Sequence, residues 1–360
     1  MRFLKREKKF YIWLLVLAAF FAAYFSLRGS RTAMNWLCGR VLLPLEQWLG
    51  RLCGRLQISV AEVLIITFLC AAFFAVVNAV RGLFTVPHKG RRLYRLCLGA
   101  LCAGLTVWAG FCLLWGTFYN TDSFQERSGI VARGGTAAEL TELTERFAAL
   151  VRESADEVPR DAAGTVQLSA ADVLARAGSS YEPLYPEFPF LNVPTAAPKA
   201  FTASRAMSAL DFTGFYFPFT GEANLNVDAP VAWLPATCCH EIAHQKGVSS
   251  EQECNFLGIL AALRSADADF RYSGALMGYV YVSNALYGVD YDAWKTIRDT
   301  LPESALRDLR QQSAYWAQFA GPVKTVSNRV YDGFLKANGD PDGIRSYGTV
   351  VDLLLAYEEL

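Results

Sequence analysis

Three long stretches near the start of the chain carry almost no charge, and they limit what the first third can become. They cover about residues 10–27, 60–80 and 96–119. A bilayer core is crossed by about 20 apolar residues, with a range of about 17–25. In lipid the backbone must satisfy its own hydrogen bonds, so such a segment is a helix. Residues 1–119 therefore read as a membrane anchor with three transmembrane helices. Residues 32–57 differ. Leu37, Val41, Leu45, Trp48, Leu52 and Leu56 recur at helical spacing, while Arg40, Gln47, Arg51 and Arg55 fall on another face. That spacing predicts an amphipathic segment that lies on the membrane or packs against the anchor. Trp115 and Tyr119 close the third run and are expected as interfacial anchors. Hydrophobic residues make up 53% of the 360.

Basic residues set the expected orientation. Arg2, Lys5, Arg6, Lys8 and Lys9 precede the first run, and Arg81, Lys89, Arg91, Arg92 and Arg95 lie between the second and third. The positive-inside rule puts both groups in the cytoplasm, and three crossings then put residues 120–360 outside. A further crossing through residues 36–56 would reverse that. Formal net charge is +0, which gives no reason to expect a nucleic-acid partner. No nucleotide-binding loop is present.

After Asn120 the composition becomes that of a water-facing domain. Residues 136–158 carry Leu140, Leu143, Phe147 and Leu150 at helical spacing, and 166–177 suggest another helix. Residues 181–198 hold five prolines and are expected to be extended. Residues 212–227 read as strand, turn and strand. Of these, Glu222, Ala223 and Asn224 are the candidates for an edge strand that pairs with a substrate backbone. Helices are expected over 256–265, 271–287, 292–300, 303–319, 323–336 and 347–359, with a loop at 338–343. The architecture expected is transmembrane helices followed by a mainly α (α+β) domain with a small edge-stranded sheet.

The chemistry concentrates between Cys238 and Asn255. His240, Glu241 and His244 form His-Glu-x-x-His. Positions i and i+4 share a helix face, so both imidazoles can hold one Zn²⁺, and Glu241 can reach its water. The chain has three histidines, and the third, His88, sits in a basic loop between apolar runs. Gly247 stands where a glycine would end the helix. Catalytic zinc takes three protein ligands and an open position. Glu251 is the expected third ligand, with Asn255 one turn later to orient a ligand histidine. Glu253 is the alternative ligand, although Ser250-x-x-Glu253 also fits a capping box. Cys238, Cys239 and Cys254 flank the motif as packing residues, with a bridge or a thiolate ligand as further options.

The pattern His-Glu-x-x-His followed by Glu251 and Asn255 resembles the gluzincin class of zinc peptidases. The stretch from Gly214 to Asn224, then His240–Gln245, Glu251-x-Glu253-x-Asn255-Phe256, Arg271-Tyr272-Ser273, Leu335–Gly339 and Ser346-Tyr347, more closely resembles a family of bacterial membrane proteins described as a domain of unknown function. The gap between His244 and Glu251 is shorter than gluzincins usually have. The resemblance implies a zincin-like fold and a metal site in a multi-pass protein of the bacterial cell membrane. It also implies an oxyanion donor among Tyr347, Arg345, Tyr272 and Arg271.

These residues permit peptide hydrolysis, with Glu241 as general base and a peptide or protein as substrate. The alternative is a non-catalytic zincin-fold sensor or scaffold of the cell envelope. An intramembrane protease is disfavoured, because the motif lies far along the chain from the three apolar runs.

Overall fold

The computed structural model describes residues 7–85, 89–338 and 347–357. His88 lies outside them. The anchor begins with α1 (Lys8–Leu27). Next come α2 (Arg31–Leu37), a π-helical turn (Cys38–Leu42) and α3 (Leu43–Cys53). Then follow α4 (Val60–Thr85) and α5 (Lys89–Phe111), which runs into a second π-helical turn (Cys112–Gly116). Among the described residues, three helices are long and apolar enough to cross a membrane: Lys8–Leu27, Val60–Gly82 and Lys89–Gly116. The third begins earlier than expected. Arg91, Arg92 and Arg95 belong to its first turns instead of a loop, because a helix of this length carries basic side chains at its end without bending.

The amphipathic segment is helical and does two things at once. Trp36, Val41, Leu45, Trp48 and Leu52 point outward and are 39–62% exposed, while Met34, Cys38, Leu42, Glu46 and Gly50 are buried against the rest of the molecule. Gly50 meets the turn that carries Gly221. A Cβ on Gly221 would collide with the Glu46 carbonyl, and its φ of +67° is one that glycine adopts without cost.

The remaining chain folds around a buried helical core. α6 (Phe124–Ser128) and α7 (Ala137–Ser154) begin with capping boxes, built by Ser123 with Glu126 and Thr136 with Glu139. α8 (Ala170–Arg176) is shorter than expected, because Val166 pairs with Arg160 in an isolated bridge. The proline-rich stretch is not uniformly extended: Ala177–Leu184 and Pro189–Leu191 are 3₁₀-helices. Proline fixes φ near −65°, which suits a 3₁₀ turn as well as an extended chain.

β1 (Lys199–Ala200), α9 (Ser204–Ala209), β2 (Gly214–Phe217) and β3 (Glu222–Leu225) follow. The sheet order is β1-β3-β2, with β1 parallel and β2 antiparallel to β3. β3 is thus the central strand. Next come α10 (Leu234–Gln245), α11 (Glu251–Leu263) and α12 (Ala268–Val289). α13 (Tyr291–Arg298), α14 (Glu303–Ala317), α15 (Pro322–Ala337) and α16 (Tyr347–Ala356) complete the chain. α10, α11 and α12 form the centre of the core. Gly258 on α11 lets that helix approach α10 so closely that a Cβ would touch the backbone of His240 at 3.1 Å.

Sheet and anchor grip one another through buried carboxylates. Glu222 accepts hydrogen bonds from the backbone of Val60 and Ala61, the first turn of the second apolar helix. Lys199 balances that charge at 2.6 Å and also donates to the carbonyls of Cys53 and Ile58. Glu62, on the same helix, accepts in return from the backbone of Thr202 and Ala203.

Candidate metal centre

α10 carries the motif because its local sequence allows little else. Pro235 occupies the first turn, where a missing N–H costs nothing, and the helix stops at Gly247. Gly247 has φ +84°; its N–H bonds the His244 carbonyl and the Val248 N–H bonds the Ala243 carbonyl. That pair of bonds is a Schellman ending. The reversal brings Glu251, at the start of α11, back over the face of α10.

His240, His244 and Glu251 meet there. The Nε2 of His240 lies 3.2 Å from one Glu251 oxygen, and the Nε2 of His244 lies 3.6 Å from the other. All three donors fall within 4.8 Å of one another. A tetrahedral ion with bonds of about 2.0–2.1 Å holds its donors about 3.3 Å apart, so the two measured separations fit a zinc-sized ion. The side chains are 12%, 6% and 21% exposed. Burial opposes charge on Glu251, but His244 and His240 outweigh it and hold the carboxyl well below its usual range.

The surroundings differ from expectation. His244 is oriented through its Nδ1, 2.8 Å from the Val248 carbonyl, with the Cys254 thiol at 3.3 Å on the same side. That leaves Nε2 facing Glu251. Asn255 lines the cavity but does not bond His240 Nδ1, which is buried without a partner among the described residues. Glu253 is turned away. Its backbone N–H caps against Ser250, while its carboxylate accepts from Phe124 and Gln125 at the start of α6, so the reciprocal half of the expected box is absent. The three cysteines are buried and free. Burial pushes Cys239 and Cys254 up to about 12, so both are thiols, and Cys254 sits behind His244 instead of beside Nε2.

Glu241 is 3% exposed, and burial raises its pKa to about 7. One of its oxygens has no hydrogen-bond partner among the described residues. Gly214 on β2 presses directly on it: a Cβ there would lie 2.5 Å from the other oxygen.

The cavity beside the cluster measures about 300 Å³. Its walls include β2 on one side and Phe111, Trp115 and Tyr119 on another. Trp115 and Tyr119 therefore face the site and not the lipid. Trp115 is 7% exposed, donates to the Tyr119 hydroxyl, and sets its ring edge-on to His244 with centroids 5.5 Å apart. The motif is distant from the apolar runs in sequence and adjacent to one of them in space. Tyr331 on α15, which sequence reasoning also missed, lines the cavity, and burial, with Glu251 nearby, raises its phenol well above its usual range.

Several expected residues are elsewhere. Glu222, Ala223 and Asn224 occupy the central strand, with both edges paired and all three side chains buried. Asn224 accepts from Ser59, and Glu222 is committed to Lys199 and the second apolar helix. The strand beside the cavity is β2, whose outer edge has no strand partner among the described residues. Tyr272 donates to Asp308 beside Arg160, and Arg271 pairs with Glu157, both away from the cluster. Arg345 lies outside the described residues, and so does the side chain of Tyr347, whose backbone starts α16.

Fold and site together define a mostly helical protein with apolar helices long enough to cross a membrane, a small mixed sheet and a candidate metal cluster at the end of its third apolar helix. Residues 40–355 match the family described as "Protein of unknown function (DUF3810)", and the chain belongs to that family. No curated protein and no solved structure matches it.

Proposed function

We propose that this chain is a membrane-anchored zinc metallopeptidase with a zincin-like catalytic domain on the extracytoplasmic side of the bacterial cell membrane. The observation that carries the reading is the convergence of His240, His244 and Glu251 at zinc-compatible separations, with Glu241 beside them. His240, His244 and Glu251 would hold the ion. When bound, zinc supplies Lewis acidity and lowers the pKa of a water from 15.7 to about 7. Glu241, raised into the neutral range by burial, takes a proton at its carboxylate and returns it to the leaving amine. The open edge of β2 holds the peptide extended through backbone hydrogen bonds. Tyr331 donates from its phenol toward the carbonyl oxygen as negative charge develops.

The test is metal content of the full-length protein in detergent. One zinc per chain is expected. His240→Ala and Glu251→Ala should lose it, and Glu253→Gln should keep it. Cleavage of a peptide library that stops in Glu241→Gln then establishes the activity. A protein that binds no zinc after reconstitution overturns the reading and favours a non-catalytic scaffold.

A further inference from the structure

An apolar groove of about 690 Å³ lies between α15 and the loop before β2. Val323, Val326 and Val330 line one side and are 59%, 57% and 68% exposed; Leu210 faces them at 43%. Contiguous apolar surface of this kind marks a site of contact with something else. The two walls of the groove are tied to each other. Ser327 donates to the Leu210 carbonyl at 2.7 Å, and Asp211 accepts from Asn328 and pairs with Lys324, each at 2.9 Å. Asp211 sits at φ +67°, the one described non-glycine residue in the left-handed region. Backbone held there persists only where surrounding contacts fix it.

The groove continues into the cavity of the candidate metal centre. Phe212, Tyr331 and Phe334 are walls of both. Across that cavity stand Phe111 and Trp115, from the last turns of the third apolar helix, and Phe334 meets Phe111 with ring centroids 5.5 Å apart. Groove, cluster and membrane end are thus neighbours.

We propose that the substrate is a polypeptide anchored in the same bilayer, and that the groove receives the apolar stretch next to its scissile bond. This rests on the peptidase reading above. A chain extended along β2 leaves the cavity past Phe212, straight into the groove, so the occupant is the substrate's own backbone and side chains and not a separate lipid. A polar soluble peptide would leave the valines uncovered. A chain emerging beside the third apolar helix brings apolar residues to them.

The experiment uses full-length protein in phosphatidylethanolamine–phosphatidylglycerol vesicles. Two forms of one randomised peptide library are compared: free, and fused at either end to a spanning segment of about 20 apolar residues. Wild type is expected to cleave the anchored form faster by roughly tenfold or more, the scale of discrimination set by small apolar contacts. Val326→Asp should collapse the anchored-to-free ratio toward unity. Binding of the anchored library to Glu241→Gln, with and without Val326→Asp, is measured in parallel. Equal cleavage of both forms by wild type, or equal slowing of both by Val326→Asp, overturns the inference and leaves the peptidase reading intact. Anchored-library binding that Val326→Asp abolishes, without cleavage by wild type, supports the groove and overturns the peptidase reading. Neither binding nor cleavage overturns both.

Discussion

Gly214→Ala tests whether the sheet and Glu241 are fitted to each other. A Cβ at this position would lie 2.5 Å from Glu241 Oε1 and 2.8 Å from both its Cδ and Cγ. Comfortable carbon contacts are about 3.5–4.0 Å, so the overlap is close to 1 Å along the whole carboxyl group. Glu241 is 3% exposed, and the displacement that relieves the overlap takes its carboxyl group out of place in the cavity. Overpacking of this kind costs about 1–3 kcal/mol. Alanine in a strand otherwise gains about 0.5–1 kcal/mol over glycine. The net effect in the wild-type background is a loss of up to about 2.5 kcal/mol. In a Glu241→Ala background the overlap is gone, and the same substitution should gain about 0.5–1 kcal/mol. Touching residues couple by about 0.5–3 kcal/mol, and the overpacking term falls in that range. The assay is thermal unfolding of the four full-length proteins of the cycle in detergent. Gly214→Ala should lower the midpoint in wild type and raise it in Glu241→Ala. Equal shifts in the two backgrounds refute the fit. Gly214→Ala should also keep its zinc, while peptide turnover falls about 10²-fold, the effect of a misplacement near 1 Å.

Tyr331→Phe should retain zinc and lose about 10²–10³-fold in turnover on the peptide library, the loss typical of one oxyanion donor; full turnover would reduce Tyr331 to a packing role. Glu46, whose pKa burial raises from 4.5 to about 8, holds its proton more tightly folded than unfolded. Stability is therefore greatest below pH 4.5, falls as pH rises toward 8, and levels beyond, with this group contributing at most about 1.4 kcal/mol per unit. Midpoints measured from pH 5 to 9 should slope less in Glu46→Gln than in wild type. Lys199→Met leaves Glu222 buried without its cation, at a cost of about 3–5 kcal/mol, and adding Glu222→Gln, which keeps an acceptor for Val60 and Ala61, should recover part of the lost midpoint.

What could be read from the sequence was what lies within one or two helical turns. His240 and His244 share a face by spacing alone with Glu241 beside the first, Gly247 marks the helix end, and Glu251 follows within reach of the reversal. The apolar periodicity of α7 and the uncharged runs of the three membrane-length helices are equally local. Tyr331, Trp115 and Gly214 escaped because each reaches the cluster through contacts between distant segments. Tyr331 and Phe334 share α15 with exposed valines and with Lys324, Asn328 and Arg329, so nothing in its sequence marks the face that meets the cluster. The strand assignment failed for a small reason. β1 is two residues long, too short to carry a pattern, yet its pairing makes β3 central and leaves β2 as the exposed edge.

The clasp between Glu222, Lys199 and the start of the second apolar helix bears on how the molecule is made. The ribosome delivers residues 60 and 61 long before residues 199 and 222. The apolar helices of the N-terminal third are therefore made first, and the sheet closes on a helix end that is already in place. A fragment starting at Asn120 has no such helix end. It keeps Glu222 and Lys199 but lacks the two N–H donors and the two carbonyls that share their burial. Anchor and sheet complete each other's buried hydrogen bonds, so the two parts mature as one folding unit.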